Sequence, residues 1–176
     1  NITLDKKKIS LNLKPYIIAE IGSNFNQNFE KAKKLIIEAK KCGVDAVKFQ
    51  LFKSETIYPN DKKMYKLFKS IELNPDWIYK LKKFTEKCKL DFLCSCFDLE
   101  SAKILNENKI IMHKIASSET ENLALSKFLI KTKKPILLST GMSDIKDVKN
   151  ILRLTKKYQN NKIILMQCTS TYPPND

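Results

Sequence analysis

The chain is poor in residues that mark many protein classes. Its 176 residues include three glycines, one histidine, one tryptophan and, among 33 basic side chains, the single arginine Arg153. Three glycines leave no Gly-rich phosphate loop of the dinucleotide-binding kind. The turn Gly22-Ser-Asn-Phe-Asn26 carries only one. A lone histidine, His113, cannot build a histidine cluster. Because it precedes Lys114 on a strand, it should point to the opposite face and pack there rather than ligate a metal. The five cysteines are odd in number and show no CxxC spacing. Reduced thiols in or beside core elements fit them better than a disulfide framework or a zinc site, and Cys94-Ser-Cys96 reads as strand packing. No apolar run approaches the roughly 20 residues of a membrane-spanning helix, and Asn1 to Lys8 is polar and Lys-rich, unlike a secretory leader. A cytoplasmic protein with no membrane contact is expected.

The scarcity of arginine also bears on the net charge of +14. Clustered Lys and Arg give phosphate-backbone binding, but planar two-pronged recognition of phosphates and bases favours Arg. Here Lys is spread over every helix, opposite the apolar stripe, as on a solvated surface. No nucleic-acid partner is expected, although the positive field can draw in small anions.

What the chain does have is six short apolar runs, Tyr16 to Ile21, Asp45 to Gln50, Leu90 to Ser95, Ile111 to Ala116, Pro135 to Thr140 and Ile163 to Cys168, alternating with helix-length amphipathic segments. A buried parallel strand is apolar on both faces, so its first polar residues belong at its C-terminal end, where ligands collect in parallel α/β folds. Lys48, Ser95, Lys114, Ser117 and Ser139 all sit there. Helices are expected over about 29–42, 76–89, 98–108, 121–132 and 144–158, with Gly43 as a helix stop and Asp98 and Ser143 or Asp144 as N-caps. The 51–75 connection is the longest, and Met64, Leu67, Phe68 and Ile71 predict a short helix inside it.

Six strand-helix units without hairpin signals leave an open doubly wound sheet or a (β/α)8 barrel. The missing glycine loop disfavours the first. A full barrel needs about 250 residues, so the expectation is an α/β, TIM-type barrel of which residues 1–176 form about the first six units.

Ile18-Ala-Glu-Ile-Gly-Ser-Asn-Phe-Asn26, Gly43-Val-Asp-Ala-Val-Lys-Phe-Gln50, Lys114-Ile-Ala-Ser117, Leu138-Ser-Thr-Gly-Met142 and Cys168-Thr-Ser-Thr-Tyr-Pro173 resemble, in the same order, the strand-end motifs of the sialic acid synthase family. The resemblance covers about residues 15–173. It implies condensation of phosphoenolpyruvate with an open-chain N-acetylated amino sugar, such as N-acetylmannosamine, to form a sialic or related nonulosonic acid with release of phosphate. It further implies a divalent metal, Mn²⁺ or Mg²⁺, with ligands expected beyond residue 176. The rest of the barrel, a C-terminal antifreeze-like domain and a homodimer are expected of the full protein, and this segment alone is expected to be inactive.

By the same resemblance Ser95, Lys114, Ser117 and Ser139 surround the phosphate, and Lys48 holds the substrate carboxylate or the phosphate edge. Glu20 and Gln50 stand nearest the reacting carbons. A carboxylate beside the enol C2 can stabilise the cation formed there and take a proton from the water that adds, which is the role expected of Glu20. Glu119 is expected to hydrogen-bond the amino sugar, and Ser170 and Tyr172 to belong to the sixth strand end. Phe25 replaces a frequent His of the first motif and Gln167 another before Cys168. The alternatives are a heptulosonate- or octulosonate-type synthase, which would want more Arg than Arg153, and a non-enzymatic polyanion-binding module.

Overall fold

The computed structural model describes residues 1–4 and 7–171. Two short strands, β1 (Ile2–Leu4) and β2 (Lys7–Ile9), pair antiparallel, with Ile2 opposite Ile9. Six more follow: β3 (Ile18–Gly22), β4 (Ala46–Leu51), β5 (Asp91–Cys96), β6 (His113–Ile115), β7 (Ile136–Ser139) and β8 (Ile163–Met166). They form one parallel sheet in sequence order, β3-β4-β5-β6-β7-β8. A doubly wound sheet reverses its order at a switch point; this one does not.

The helices are α1 (Phe29–Lys41), α2 (Ser54–Ile57), α3 (Lys62–Lys69), α4 (Trp77–Lys87), α5 (Leu99–Glu107), α6 (Leu123–Lys131) and α7 (Ile145–Lys157). Their starts are written in the sequence. Asn28, Asp98 and Asn122 accept the backbone N–H three residues on, and Asp144 forms a capping box with Asp147. The short helix expected in the 51–75 connection is α3, and a further turn, α2, precedes it.

The sheet has two different faces. Val47, Phe49, Leu51, Phe92, Cys94, Cys96, Ile115, Ile136 and Leu138 form one cluster with buried residues of α1, α4, α5, α6 and α7, so these five helices cover the same face. Alternate strand residues Ala46, Leu93 and Leu137, with Met112 just before β6, form the other cluster together with Leu4, Ile2 and Ile9 of the hairpin. Burying such side chains contributes about 1.5–3 kcal/mol each. The hairpin therefore plugs the N-terminal end of the sheet's second face. It runs against the expectation of a polar lead-in without hairpins, because its strands are three residues long and lysines interrupt the apolar alternation. Lys7 anchors it, reaching Asp45 at 3.5 Å and Asp91 at 3.3 Å, while Tyr16 donates to Asp91 at 2.6 Å.

His113 lies on the helix-side face as expected. It is fully buried beside Thr132, whose hydroxyl donates to the Leu129 carbonyl at 2.7 Å and so accepts from His113 Nε2 at 2.9 Å. Nδ1 is left buried without a partner among the described residues. Burial, with Lys134 nearby, lowers this imidazole to about 3. All five cysteines are free, and burial raises Cys96 to about 12.

Scarce glycine shapes the helix ends too. Lys89, Lys109, Lys133 and Gln159 follow helices with φ of 58°, 54°, 60° and 51°, in the left-handed conformation that glycine usually takes. A non-glycine residue there costs about 1–2 kcal/mol, partly offset by the lower unfolded-state entropy of a residue with a side chain. Exposed Lys89→Gly and Lys109→Gly should each raise stability by about 0.5–1 kcal/mol in urea melts; an unchanged midpoint in both would show that no strain is held there. His113 sets a pH trend. Its unfolded-state pKa of 6.5 lies above the folded value of about 3, so the unfolded chain binds the extra proton first. Stability is full above pH 6.5 and falls as pH drops toward 3, by up to about 1.4 kcal/mol per unit. His113→Leu should flatten this slope, and an equally steep slope in the variant would assign the acid loss to other groups.

Candidate active site

The second face of the sheet is apolar at its N-terminal end and polar two residues further along each strand. Ile18 gives way to Glu20, Ala46 to Lys48 and Gln50, Leu93 to Ser95, Met112 to Lys114, and Leu137 to Ser139. Two residues advance a strand by about 6.6 Å and return the side chain to the same face. The C-terminal strand ends thus carry a polar layer directly above the apolar one. Here lies a cleft of about 490 Å³, lined by Glu20, Lys48, Gln50, Ser95, Lys114, Ser117, Ser139 and Ser170, all eight of them expected site residues.

Two ammonium groups form its floor. Lys48 is 9% and Lys114 7% exposed. The Lys48 ammonium pairs with Glu20 Oε2 and donates to Ser95 Oγ at 3.2 Å. Glu20 stands directly across from Lys48 in the sheet and is itself exposed to the cleft. Lys114 has hydroxyl and carbonyl acceptors instead, Ser139 Oγ at 2.7 Å and its neighbour Ile115 O at 2.6 Å. Burial, and next the charge of Lys48, lowers the Lys114 ammonium to about 8. Two cations meet one carboxylate among the described lining residues. An anion in this cleft would gain charge-assisted hydrogen bonds from lysines and hydroxyls already in place.

The loops hold this floor. At Gly22 β3 bulges, with φ +55°, so that Gly22, Ser23 and Asn24 line the cleft while Phe25 turns into the core. Phe25 is fully buried, 5.9 Å from the Phe49 ring and 6.4 Å from Trp77. Phe25, the departure from the resembled first motif, is thus an apolar anchor. Thr120 Oγ1 donates to Ser117 O at 3.0 Å and Ser139 O at 3.4 Å, joining the turn after β6 to the end of β7. Gly141 is a close-approach site, where an added Cβ would meet Ser170 Oγ at 2.6 Å and the Cys168 carbonyl at 2.7 Å.

Glu119 lies in the turn after β6, bonded by Asn122 at 3.1 Å and Ser118 at 3.3 Å, and is not among the residues that line the cleft. Tyr172 lies outside the described residues. Asn24 and Thr169, inside the strand-end motifs, and Phe97 and Met166, outside them, also line the cleft. Phe97 stands two residues after Ser95, and that spacing was the available signal. No group of three His, Cys, Asp or Glu side chains suited to a metal occurs among the described residues. No described helix is long and apolar enough to cross a membrane.

The model of the NeuB family matches residues 35–176. An uncharacterized protein of Methanocaldococcus jannaschii is 40% identical over 158 residues, covering 90% of this chain and 47% of that protein. The N,N'-diacetyllegionaminic acid synthase of Legionella pneumophila is 32% identical over 176 residues, covering 90% of this chain and 49% of that enzyme. The chain spans about half the length of these curated relatives. Among solved structures, the N-acetylneuraminic acid (sialic acid) synthetase of Leptospira borgpetersenii superposes with a TM-score of 0.95 at 30% identity, over 99% of this chain and 61% of that one.

The Lys114 environment sets a pH trend for anion binding. An amine at about 8 is charged at pH 7 and mostly neutral at pH 9. Sulfate, whose charge is constant over this range, should bind about tenfold more weakly at pH 9 than at pH 7 by calorimetry. Lys114→Met should bind weakly at both. A wild-type affinity independent of pH would remove Lys114 from the anion site.

Proposed function

The chain belongs to the NeuB family, and we propose that it forms the first six units of a (β/α)8 barrel that condenses phosphoenolpyruvate with an open-chain N-acetylated amino sugar. The observation that carries this reading is the floor of two buried lysines, Lys48 and Lys114, in one cleft with Ser95, Ser117, Ser139 and a single lining carboxylate, Glu20. Phosphoenolpyruvate carries a phosphate and a carboxylate a few ångströms apart. Helices on one face only and strands in sequence order support the barrel reading over an open sheet.

In this reading Lys114, Ser95, Ser117 and Ser139 hold the phosphate and Lys48 the carboxylate, which frees Glu20 from its ion pair. The enol C3 forms the new carbon–carbon bond to the sugar aldehyde carbon, and the aldehyde oxygen takes up a proton. C2 is left cationic. Glu20 lies where it can stabilise that charge and accept a proton from the water that adds to C2, while Gln50 orients the reactants beside it. Loss of inorganic phosphate from C2 then gives the 2-keto acid, so water, phosphoenolpyruvate and aldehyde balance product and phosphate. A divalent metal, Mn²⁺ or Mg²⁺, would be held by residues other than the described ones, where no suitable group of three ligands occurs. Glu119, Ser170 and Tyr172 are proposed for the acceptor side. The remaining barrel, an antifreeze-like domain and a homodimer complete the proposal for the full-length protein.

In that protein, Glu20→Gln should keep phosphoenolpyruvate affinity but lower kcat on the order of 10²-fold or more, because the charge at C2 arises only during reaction. Lys114→Ala should weaken phosphoenolpyruvate binding by about 1–3 kcal/mol. Steady-state kinetics and calorimetry read the two effects apart. Wild-type turnover in the Glu20 variant would leave this carboxylate a structural partner of Lys48 only.

A further inference from the structure

Four aromatic rings run in a chain from the 51–75 excursion to the cleft. Phe97, just after β5, is the one ring among the described lining residues. It meets Phe52, just after β4, edge-on at 5.8 Å and 87°. Phe52 is nearly fully buried and meets Phe68 of α3 at 5.5 Å and 62°. Phe68 in turn packs on Tyr58, just after α2, at 4.6 Å. Such tilted and edge-to-face pairs contribute about 0.5–1.5 kcal/mol each beyond area burial.

The excursion is fastened at its ends. Glu72 accepts from Ser54 N at 2.6 Å and Ser54 Oγ at 2.5 Å, Lys53 pairs with Glu100 at 2.7 Å, and Gln27 donates to the Lys69 and Glu72 carbonyls. Its middle is different. None of the residues of α3 is buried, and Leu67 is more than half exposed. Phe68, half-buried like Met64 and Tyr65, ties α3 to Phe52 at the end of β4.

An aromatic face is electron-rich and repels phosphate and carboxylate, but it welcomes C–H groups and methyls. The cleft offers its cations on the floor and this one ring on the wall. We infer that Phe97 is the wall on which the acceptor's apolar part, its N-acyl methyl or a sugar C–H face, comes to rest. Phe52 and Phe68 are positioning residues that set the angle of that wall from the excursion, so α3 tunes acceptor selectivity without touching the acceptor. The inference rests on the synthase reading above and adds the device that discriminates between acceptors.

The test uses the full-length protein, saturating Mn²⁺ and two acceptors, N-acetylmannosamine and 2,4-diacetamido-2,4,6-trideoxymannose, with Phe68→Leu and the conservative Phe68→Tyr. Phe68→Leu should leave kcat and the phosphoenolpyruvate KM within about twofold, raise the KM of the better acceptor about tenfold and change the ratio of kcat/KM between acceptors about fivefold. Phe68→Tyr should restore the wild-type ratio. An unmoved ratio in an active Phe68→Leu protein would overturn the inference while leaving the synthase reading intact. So would a parallel shift of kcat and both KM values, which marks general loosening. A wild-type protein that binds phosphoenolpyruvate yet makes no keto acid from either acceptor would overturn both.

Discussion

Lys114 is a cation held where water is scarce and no carboxylate answers it directly. Removing an ammonium from water costs several kcal/mol unless an opposite charge or good hydrogen bonds offset it. Lys48 has Glu20; Lys114 has a serine hydroxyl and a backbone carbonyl, and its lowered proton affinity reflects the shortfall. Much of the surrounding structure serves this arrangement. Thr120 fixes the backbone around Ser117 and Ser139, and Gly141 lets the Cys168–Ser170 segment approach the end of β7. An unbalanced buried cation is stable enough to persist only in a framework that cannot relax around it, and an incoming anion then gains what folding gave up.

That framework follows from strand parity. On the helix-side face every strand presents apolar residues to one continuous cluster, so register is fixed there, since a one-residue slip would send Phe49, Cys94 and Leu138 to the wrong side. Fixing that face fixes the other. Its N-terminal layer must be sealed, and the hairpin supplies Leu4, Ile2 and Ile9 for the purpose, clamped by Lys7 between Asp45 and Asp91. With the lower layer dry, the lysines directly above it have one open direction, toward the cleft.

These relations explain what could be read in advance. A parallel strand buried on both faces can turn polar only at its C-terminal end, so Lys48, Ser95, Lys114 and Ser139 announced themselves by position, and the observed strands lie within the expected runs or extend them by one residue. The N-terminal hairpin was illegible because three-residue strands hold too few side chains for a period and lysines fill the exposed places. Phe25 could be seen as a departure from a pattern, but its burial against Phe49 and Trp77 depends on the bulge at Gly22, which no local preference announces. The aromatic chain from Tyr58 to Phe97 depends on the contact of Phe52 with Phe97, far apart in sequence, and only tertiary contact brings them together.

The two halves of the cleft consequently differ in mechanical character. The floor is carried by strands whose side chains sit in the continuous core, where local opening approaches the cost of global unfolding. The wall is carried by one ring whose support passes outward through Phe52 to a helix with no buried residue of its own. Local opening of such a segment costs far less, and its sequence can change without disturbing the sheet. An anion entering the cleft would meet lysines and hydroxyls that the strands already orient. In the proposed acceptor role the ring would remain adjustable, because a substitution in α3 would reach Phe97 through Phe52 while Lys48 and Lys114 stay on their strands.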